Sequence, residues 1–187
     1  VFTYKFKDGK ILFSIGFAKN YQSPQDKKSL LGKIIAIDLN TKNAELISYG
    51  HRNPQGLYYQ SDQNIVINTE HGPKGGDEIN IIEAEKNYGW PKITYGVNYI
   101  GTTITKDKAL PGLEQPLYYW IPSIAPSGFA LNYNEHYPNW KGNLFVGSLK
   151  FQYLERLVLD DNLKVSYREK IAPDIGRVRD VKLSPEG

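Results

Sequence analysis

Residues 50–91 have the sequence GHRNPQGLYYQSDQNIVINTEHGPKGGDEINIIEAEKNYGWP. Two runs within them, 57–60 and 65–69, have the apolar and aromatic composition of β-strands and are bordered by turns rich in His, Arg, Asn, Gly and Pro. Functional side chains are commonly displayed on such turns, where a rigid scaffold positions them. The stretch therefore predicts two adjacent strands with a candidate functional site at their ends.

The composition is that of one globular domain rich in β-structure. The chain has 187 residues, of which 40% are hydrophobic and 23% charged, with 14 Tyr and 3 Trp. Its formal net charge of +3 is too small to indicate a nucleic acid or an anionic membrane as partner. No apolar run approaches the roughly 20 residues of a transmembrane helix, and the absence of cysteine excludes disulfide and thiol chemistry. The chain also lacks Met and begins at Val1, which predicts a processed chain or a fragment.

A strand, a polar turn and a second strand recur along the chain, at 2–16, 56–72, 128–147 and, cut short, 180–187. Each complete unit is followed by two further strand candidates, namely 33–39 with 44–49, 78–83 with 92–95, and 153–160 with 165–171. Four strands per unit, at intervals of roughly 50 to 70 residues, are typical of β-propeller blades with loop insertions. We therefore predict an all-β fold, a β-propeller, with an ordinary two-sheet sandwich as the competing architecture.

The predicted domain is a single partial β-propeller over 1–187. Its blades are expected at roughly 1–50, 51–96 and 125–172, with the start of the next blade at 178–187 and an insertion loop at 97–124. Residues 23–31 predict either a short helical turn or a loop between strands. Propellers close with about 4 to 8 blades, so about three blades and one strand predict that further blades lie outside this chain.

Five segments, taken together and in order, resemble the soluble glucose/sorbosone (aldose sugar) dehydrogenase family that depends on pyrroloquinoline quinone (PQQ). They are GHRNPQGL, TEHGPKGGDEINIIEAEKNYGWP, PGLEQPLYYWIPSIAPSG, GNLFVGSLK and GRVRDVKLSPEG. The resemblance implies a six-bladed β-propeller of which this chain is the C-terminal half, so that the missing N-terminal blades are needed to close the ring. It also implies a periplasmic or secreted location.

The resemblance further implies a quinoprotein aldose sugar dehydrogenase with PQQ and calcium as cofactors. Such an enzyme oxidises the C1 hydroxyl of aldose sugars to lactones and passes the electrons to an external acceptor. A general base removes the hydroxyl proton while hydride passes to the quinone C5. The base of the family is a histidine in a blade outside this chain, so no catalytic residue is expected here beyond an electrostatic role for Arg179.

The two turns of the opening stretch supply the first predicted cofactor contacts. Arg52 offers a planar fork of donors that suits carboxylates or quinone oxygens. In the alternative, Asn53 and Pro54 build a tight turn and Arg52 caps backbone carbonyls. The resemblance implies that Arg52 and Asn53 contact the quinone and that the backbone carbonyls of Gly72 and Pro73 bind calcium. Backbone carbonyls are good calcium ligands. Two nearby acids, Asp77 and Glu78, are interpreted as solvated charges that open a strand.

A second group of cations lies in the last third of the chain. Arg177 and Arg179 are two residues apart, so they share a face in an extended segment. Two guanidinium groups on one face repel each other unless an anion lies between them, and Asp174 or Asp180 could serve. The resemblance instead implies that Arg177, Arg179 and Lys150 surround the quinone carboxylates and carbonyls.

Two aromatic residues complete the predicted contacts. Tyr118 and Trp120 share a face by alternation, and either ring is expected over a planar cofactor or a sugar. The alternative is that they pack the insertion loop.

One position departs from the family. An acidic residue that orients the catalytic histidine is expected where this chain has Phe17. Either the alignment differs through residues 17–31, or the base works without this partner, or the dehydrogenase activity is lost. Two other classes of function stay open: a catalytically inactive propeller that binds a glycan or protein, which Phe17 favours, and a calcium-dependent propeller lactonase.

Overall fold

The structure is a computed structural model and describes residues 3–6, 9–61 and 63–184, with side chains from residue 9 onward. The strands are β1 (Thr3–Phe6), β2 (Lys10–Ile15), β3 (Lys33–Asp38), β4 (Ala44–Tyr49), β5 (Pro54–Gln60), β6 (Ile65–Glu70), β7 (Asp77–Ile82), β8 (Tyr118–Trp120), β9 (Pro126–Asn132), β10 (Asn143–Ser148), β11 (Leu154–Leu159) and β12 (Val165–Ile171). Two 3₁₀ turns cover Ser23–Gln25 and Pro138–Trp140. No helix in the described part of the chain is long and apolar enough to cross a membrane.

The strands form three separate four-stranded sheets, β1–β4, β5–β8 and β9–β12. Within each sheet, every strand pairs antiparallel with the next one in the chain. The first strands of the sheets lie side by side, with β5 in contact with both β1 and β9. This arrangement is that of three propeller blades around a common inner side, so the predicted propeller is confirmed and the two-sheet sandwich is excluded.

Each blade packs face to face on the next through an apolar core. The core between the first two sheets contains Leu12, Ile34, Ala36, Leu57, Val66, Ile82 and Tyr88. The core between the second and third sheets contains Ile67, Ile79, Trp120, Ile124, Phe129, Leu131, Leu144, Val146, Tyr153 and Leu157. Full burial of one such aliphatic side chain stabilises the fold by about 1.5–3 kcal/mol. The strands β9 and β10 are buried along their whole length. One face lies in this second core, and on the other face Phe145 packs against Trp140.

The fourth strand of the second blade is β8, and the strand predicted at 92–95 is wrong. The free edge of β7 is paired by β8 in the register Asp77↔Trp120 and Ile79↔Tyr118. Residues 92–95 instead fold into turns, in which Ile93 N–H donates to Gly89 O at 3.1 Å. The second sheet therefore extends past the predicted blade boundary at 96 and into the predicted insertion loop 97–124.

The predicted start of a fourth blade at 178–187 forms no assigned strand in its described part, 178–184. The segment runs beside the start of β9, where Gly128 N–H donates to Arg179 O (3.1 Å) and Ser127 Oγ donates to Val178 O (2.6 Å). A β-ladder in a fourth blade would need a second strand to pair with residues 178–184, and the described residues contain no such strand. Residues 2 and 185–187, which the predicted units include, lie outside the described residues.

The connection between β2 and β3 is a loop, residues 16–32, built around a buried lysine. Lys33 is fully buried, and its Nζ donates to Ser23 O (2.7 Å), Pro24 O (3.1 Å) and Leu31 O (2.7 Å). An ammonium group has three N–H donors, and each is satisfied here. The predicted helical turn after Ser23 is thus a single 3₁₀ turn whose carbonyls face this lysine.

Candidate functional site

The turn between β4 and β5 holds Arg52 in a defined position. Its guanidinium carbon lies 5.5 Å from the Phe17 ring centroid and 5.1 Å from that of Trp90. Its Nη1 donates to His71 O at 2.8 Å, and His71 N–H donates back to Asn53 O at 2.9 Å. The two turns that carry the predicted cofactor contacts are therefore tied together by hydrogen bonds.

The turn after β6 is closed by a buried carboxylate. Asp77 is 1% exposed, and it accepts hydrogen bonds from Gly72 N–H (2.8 Å), Ser123 Oγ (2.9 Å) and Ala125 N–H (2.7 Å). A Cβ at Gly72 would lie 2.1 Å from Gly76 O, so only glycine fits there. The interpretation of Asp77 as a solvated charge is wrong, because three donors from two segments enclose it.

The second acid of that pair, Glu78, lies opposite Glu70 in the β6–β7 ladder. Burial raises the pKa of Glu78 well above its ordinary value, and the neighbouring Glu70 carboxylate acts in the same direction. Burial also raises the pKa of Asp77 and lowers the pKa of His71. The interpretation of Glu78 as a freely solvated charge that opens a strand is therefore wrong.

Both histidines of the opening stretch are held in structural contacts. His51 is fully buried, its Nε2 is 2.8 Å from Ser48 Oγ, and its ring stacks on Tyr88 with centroids 4.7 Å apart. His71 Nε2 is 2.8 Å from Pro126 O, and desolvation favours its neutral form.

An open cavity of about 450 Å³ joins the second and third blades. Gly72, Pro73, Asp77 and Lys150 all line it. Lys150 is placed by the bond from its N–H to Ile124 O (3.1 Å), and its exposed Nζ lies 4.9 Å from the Phe151 ring centroid. The structure therefore brings Lys150 to the turn whose carbonyls are the predicted calcium ligands.

Arg177 and Arg179 are exposed and lie on the segment that runs beside β9. Within 9–61 and 63–184, no ion pair joins either guanidinium to an acid, and Asp180 pairs with Lys182 at 3.3 Å instead. The alternative in which Asp180 neutralises these arginines is therefore not what the structure shows. Neither arginine lines the cavity that contains Lys150.

The structure places the two predicted aromatic contacts in packing positions. Trp120 is 1% exposed, and its Nε1 donates to Glu155 Oε2 at 3.1 Å. Tyr118 packs edge-on against Trp120 (5.2 Å between centroids) and its hydroxyl accepts from Arg168 Nη1 at 2.6 Å. The shared face is confirmed, but it points into the core between blades. A ring so enclosed cannot lie over a planar ligand, so the structure contradicts the prediction for Trp120 and does not bring Tyr118 to the cavity.

Phe17, at the position expected to be acidic, is 8% exposed. Its ring forms edge contacts with Tyr21 (5.4 Å) and Trp90 (5.5 Å), and its N–H donates to Arg52 O at 2.8 Å. In this chain Phe17 supports Arg52 by packing.

Sequence reasoning missed Asp77, Lys33 and Glu70 as organising residues. One signal for Asp77 was available, because an acid that follows a Gly-Pro-Lys-Gly-Gly turn can accept its N–H groups. Nothing in the local sequence distinguishes Lys33 or Glu70 from solvated charges.

Comparisons with known proteins agree with this architecture. The family model described as Glucose / Sorbosone dehydrogenase matches residues 3–187. The chain is 39% identical over 198 residues to the aldose sugar dehydrogenase YliI of Escherichia coli (strain K12), covering 96% of this chain and 53% of that protein.

Two solved structures extend the comparison. A glucose dehydrogenase crystal structure superimposes with a TM-score of 0.88 at 37% identity, covering 96% of this chain and 56% of that one. The PQQ-bound form of an aldose sugar dehydrogenase from Streptomyces coelicolor gives 0.73 at 28% identity, covering 95% and 50%. The chain thus spans about half the length of these relatives. Because the family model covers nearly all of the sequence, the chain belongs to the glucose/sorbosone dehydrogenase family.

Proposed function

We propose that the full-length protein oxidises the C1 hydroxyl of aldose sugars to lactones with PQQ and calcium, and that this chain supplies the cofactor-binding part. The observation that carries the proposal is the cavity in which Lys150 meets the Gly72–Pro73 turn. The names of the relatives support it, since they include an aldose sugar dehydrogenase and a PQQ-bound structure. The family also supports a periplasmic or secreted location.

The cations of the chain fit a planar tricarboxylate quinone. Arg52 lies against two aromatic rings, and its Nε is buried without a hydrogen-bond partner among the described residues. Lys150 is exposed at the cavity. Arg177 and Arg179 are exposed on the segment that runs beside β9 of the third blade. We assign Arg52, Asn53 and Lys150 to the quinone, with Arg177 and Arg179 as further carboxylate contacts.

The Gly72–Pro73 turn fits a calcium ion. Asp77 accepts the Gly72 N–H, while the N–H groups of Lys74, Gly75 and Gly76 donate to Val97 O, Ser123 Oγ and Trp120 O. These N–H groups are therefore occupied, and the carbonyl oxygens of Gly72 and Pro73 are the groups that the turn offers to a cation. Pro73 O receives only a long contact of 3.3 Å from Ser123 Oγ. Calcium takes 6–8 oxygen ligands, so two carbonyls hold it only together with oxygens of the cofactor and water.

The residues of this chain bind and orient rather than transfer protons. The bound quinone supplies a two-electron acceptor, which no side chain of this chain provides. Arg52 and Lys150 fix its anionic groups, and their positive charge favours a reduced, more negative ligand. The histidines 51 and 71 are both engaged in structural contacts, which agrees with a proton acceptor supplied by another part of the protein.

The test uses the full-length protein. It is incubated with PQQ and calcium, and reduction of an artificial electron acceptor is followed over a panel of aldoses while lactone is measured as product. Arg52→Ala and Lys150→Ala should each raise the dissociation constant for PQQ by about ten-fold, the scale of one charge-assisted hydrogen bond. Lys106→Ala, which removes an exposed lysine of the loop 83–117, serves as the matched control.

Three results would overturn the proposal. Unchanged quinone and calcium titrations in Arg52→Ala and Lys150→Ala would remove the assigned contacts. Sugar or protein binding without acceptor reduction would indicate a catalytically inactive propeller. Turnover of a lactone without quinone would indicate a calcium-dependent lactonase.

A further inference from the structure

A small polar cavity lies directly beneath Arg52. It is lined by residues of the first two blade connections and of β6 and β7, among them Arg52, Glu70, Glu78, Trp90 and Thr94. Its volume of about 10 Å³ has room for about one water molecule. It is separate from the open cavity that contains Lys150, which shares only His71 and Gly72 with it.

Three lining residues each carry a buried polar atom without a hydrogen-bond partner in the described part of the chain. They are Arg52 Nε, Trp90 Nε1 and Glu70 Oε2. Two of these atoms are N–H donors and the third is a carboxylate acceptor. Buried polar atoms are nearly always paired, with protein or with an ordered water. Their clustering around one cavity indicates a shared partner.

Other side chains surround the Glu70 carboxylate on the sides that do not face the cavity. It is 3% exposed, and His51 Nδ1 lies 3.4 Å from Oε2, beyond the usual N–H···O range. His51 is itself held by Ser48 Oγ at 2.8 Å. Glu78 faces Glu70 across the β6–β7 ladder, and burial together with the Glu70 carboxylate raises the pKa of Glu78. Glu70 is thereby a buried acceptor between His51 and Glu78.

The chemistry of the lining favours water over a cation. Two N–H donors and a guanidinium charge repel a cation, whereas a water accepts from both donors and donates to the carboxylate. No group of three or more His, Cys, Asp or Glu side chains suited to a metal occurs among the residues that the structure describes. Buried waters typically make about three hydrogen bonds, which is the number of unpartnered atoms here.

We propose that one water molecule bridges Arg52 Nε–H, Trp90 Nε1–H and the Glu70 carboxylate, and that Glu70 and Trp90 are positioning residues for Arg52. The Arg52–Glu70 ion pair is thus water-mediated. The water holds the guanidinium group at Nε, while Arg52 Nη1 donates to His71 O. Arg52 therefore presents its remaining donors to an anion in one orientation. The consequence for PQQ binding rests on the function proposed above, whereas the bridge itself does not.

The first test is a high-resolution crystal structure of the full-length protein. A solvent peak within hydrogen-bond distance of all three atoms is expected. Loss of the peak, with a rotated Arg52 side chain, is expected in Glu70→Ala. A direct Arg52–Glu70 contact without a bridging peak would overturn the proposal, and so would a peak that thallium replaces on soaking, because thallium marks a monovalent-cation site. These outcomes decide the bridge even if the protein binds no quinone.

The second test is a double-mutant cycle on PQQ affinity. Glu70→Gln should raise the dissociation constant about five-fold and Trp90→Phe about two- to three-fold, since each removes one bond of a bridge. Neither should have a further effect in the Arg52→Ala background. The matched control is Glu155→Gln, another fully buried carboxylate that lies in the second interblade core and bonds Trp120.

Glu155→Gln should lower stability and leave PQQ affinity unchanged. If Glu70→Gln weakens PQQ affinity by the same factor in the Arg52→Ala background as in the unmodified protein, Glu70 does not act through Arg52. Failure of the unmodified protein to bind PQQ is a different result, which overturns the proposed function and leaves the crystallographic test of the bridge in force.

Discussion

The loop 16–32 and the turn 71–77 are built around buried charges of opposite sign. Lys33 gathers three backbone carbonyls. Asp77 gathers two backbone N–H groups and a hydroxyl. Each charge is satisfied by three partners, so each segment is held as firmly as a segment of regular structure. The two segments differ in the kind of backbone group that remains for a ligand.

A buried ammonium consumes carbonyl oxygens, so the loop around Lys33 has none of those three left to bind a metal. A buried carboxylate consumes N–H groups, so Asp77 takes up none of the carbonyl oxygens of its turn. His71 O and Lys74 O accept from Arg52 and Val97, whereas Pro73 O receives only the long contact from Ser123 Oγ. This difference is the basis for the roles that we propose for the two connections. The first is proposed to be structural, and the second to bind a cation such as calcium.

The largest effect is expected from Asp77→Ala. Three buried donors lose their acceptor, and each unsatisfied donor costs about 1–3 kcal/mol, so the free energy of unfolding should fall by about 4–5 kcal/mol. Calcium affinity should fall with it, because the turn loses its fixed shape. Urea denaturation and calcium titration of the full-length protein measure the two effects. Asp77→Asn, which keeps one acceptor, should retain part of both, and an Asp77→Ala protein with normal calcium affinity would break the comparison.

Lys33→Met should lower the free energy of unfolding by about 3–4 kcal/mol, since three buried carbonyls lose their donor. Calcium and PQQ affinity should not change, because the loop around Lys33 is assigned a structural role only. The same titrations measure this difference. A fall in calcium affinity as large as that in Asp77→Ala would show that the two segments are not independent.

The pH dependence of stability should also distinguish the two charges. Burial lowers the pKa of Lys33 to about 8 from an ordinary value of 10.5. Between these values the unfolded chain binds more protons at this group than the folded chain, so its contribution to the free energy of unfolding rises with pH, by about 2–3 kcal/mol in total. The measurement is the difference in denaturation between the unmodified protein and Lys33→Met from pH 8 to 10.5. If the free energies of unfolding of the two proteins change in parallel over this pH range, the three carbonyls keep the Lys33 ammonium charged throughout it.

The smallest effect is expected from Ser123→Ala. Ser123 Oγ accepts from Gly75 N–H (3.0 Å) and donates to Asp77 (2.9 Å), so its loss removes two bonds of the turn and leaves two bonds to Asp77 in place. We expect a loss of about 1 kcal/mol in stability and a two- to three-fold weaker calcium affinity. A loss of stability and calcium affinity equal to that of Asp77→Ala would show that the Ser123 hydroxyl, rather than the Asp77 carboxylate, holds the turn.

Much of the fold follows from local sequence, because a strand with alternating or continuous apolar residues and a Gly or Asn turn is a local pattern. The strands β3 and β4 match the prediction closely. The pairing of β7 with β8, rather than with residues 92–95, does not follow from local sequence. Both segments contain aromatic or β-branched residues, and the competition for the free edge of β7 is decided by where the connection 83–117 returns.

The candidate site was predictable in part for a similar reason. The resemblance implied that Arg52, Lys150 and the Gly72–Pro73 turn belong to one cofactor site, and the structure places Lys150 and that turn at one cavity. Charged residues are rarely buried, so nothing in the local sequence indicates that Glu70 is enclosed, and for Asp77 the only signal is the glycine-rich turn before it. Trp120 illustrates the opposite error, because an aromatic residue beside a predicted loop is equally suited to a ligand and to a core.

The loop 16–32 also crosses from the first blade to the second. Gln25 Nε2 donates to Trp90 O (2.8 Å) and Asn87 Oδ1 (3.1 Å), and Asn87 Nδ2 donates back to Gln25 Oε1 (2.9 Å). In mechanical terms the loop is a crosslink across the seam between two blades. A force that shears these blades past each other must break directional bonds as well as slide an apolar interface, so this seam should be stiff at the same end of the molecule at which Arg52 is held.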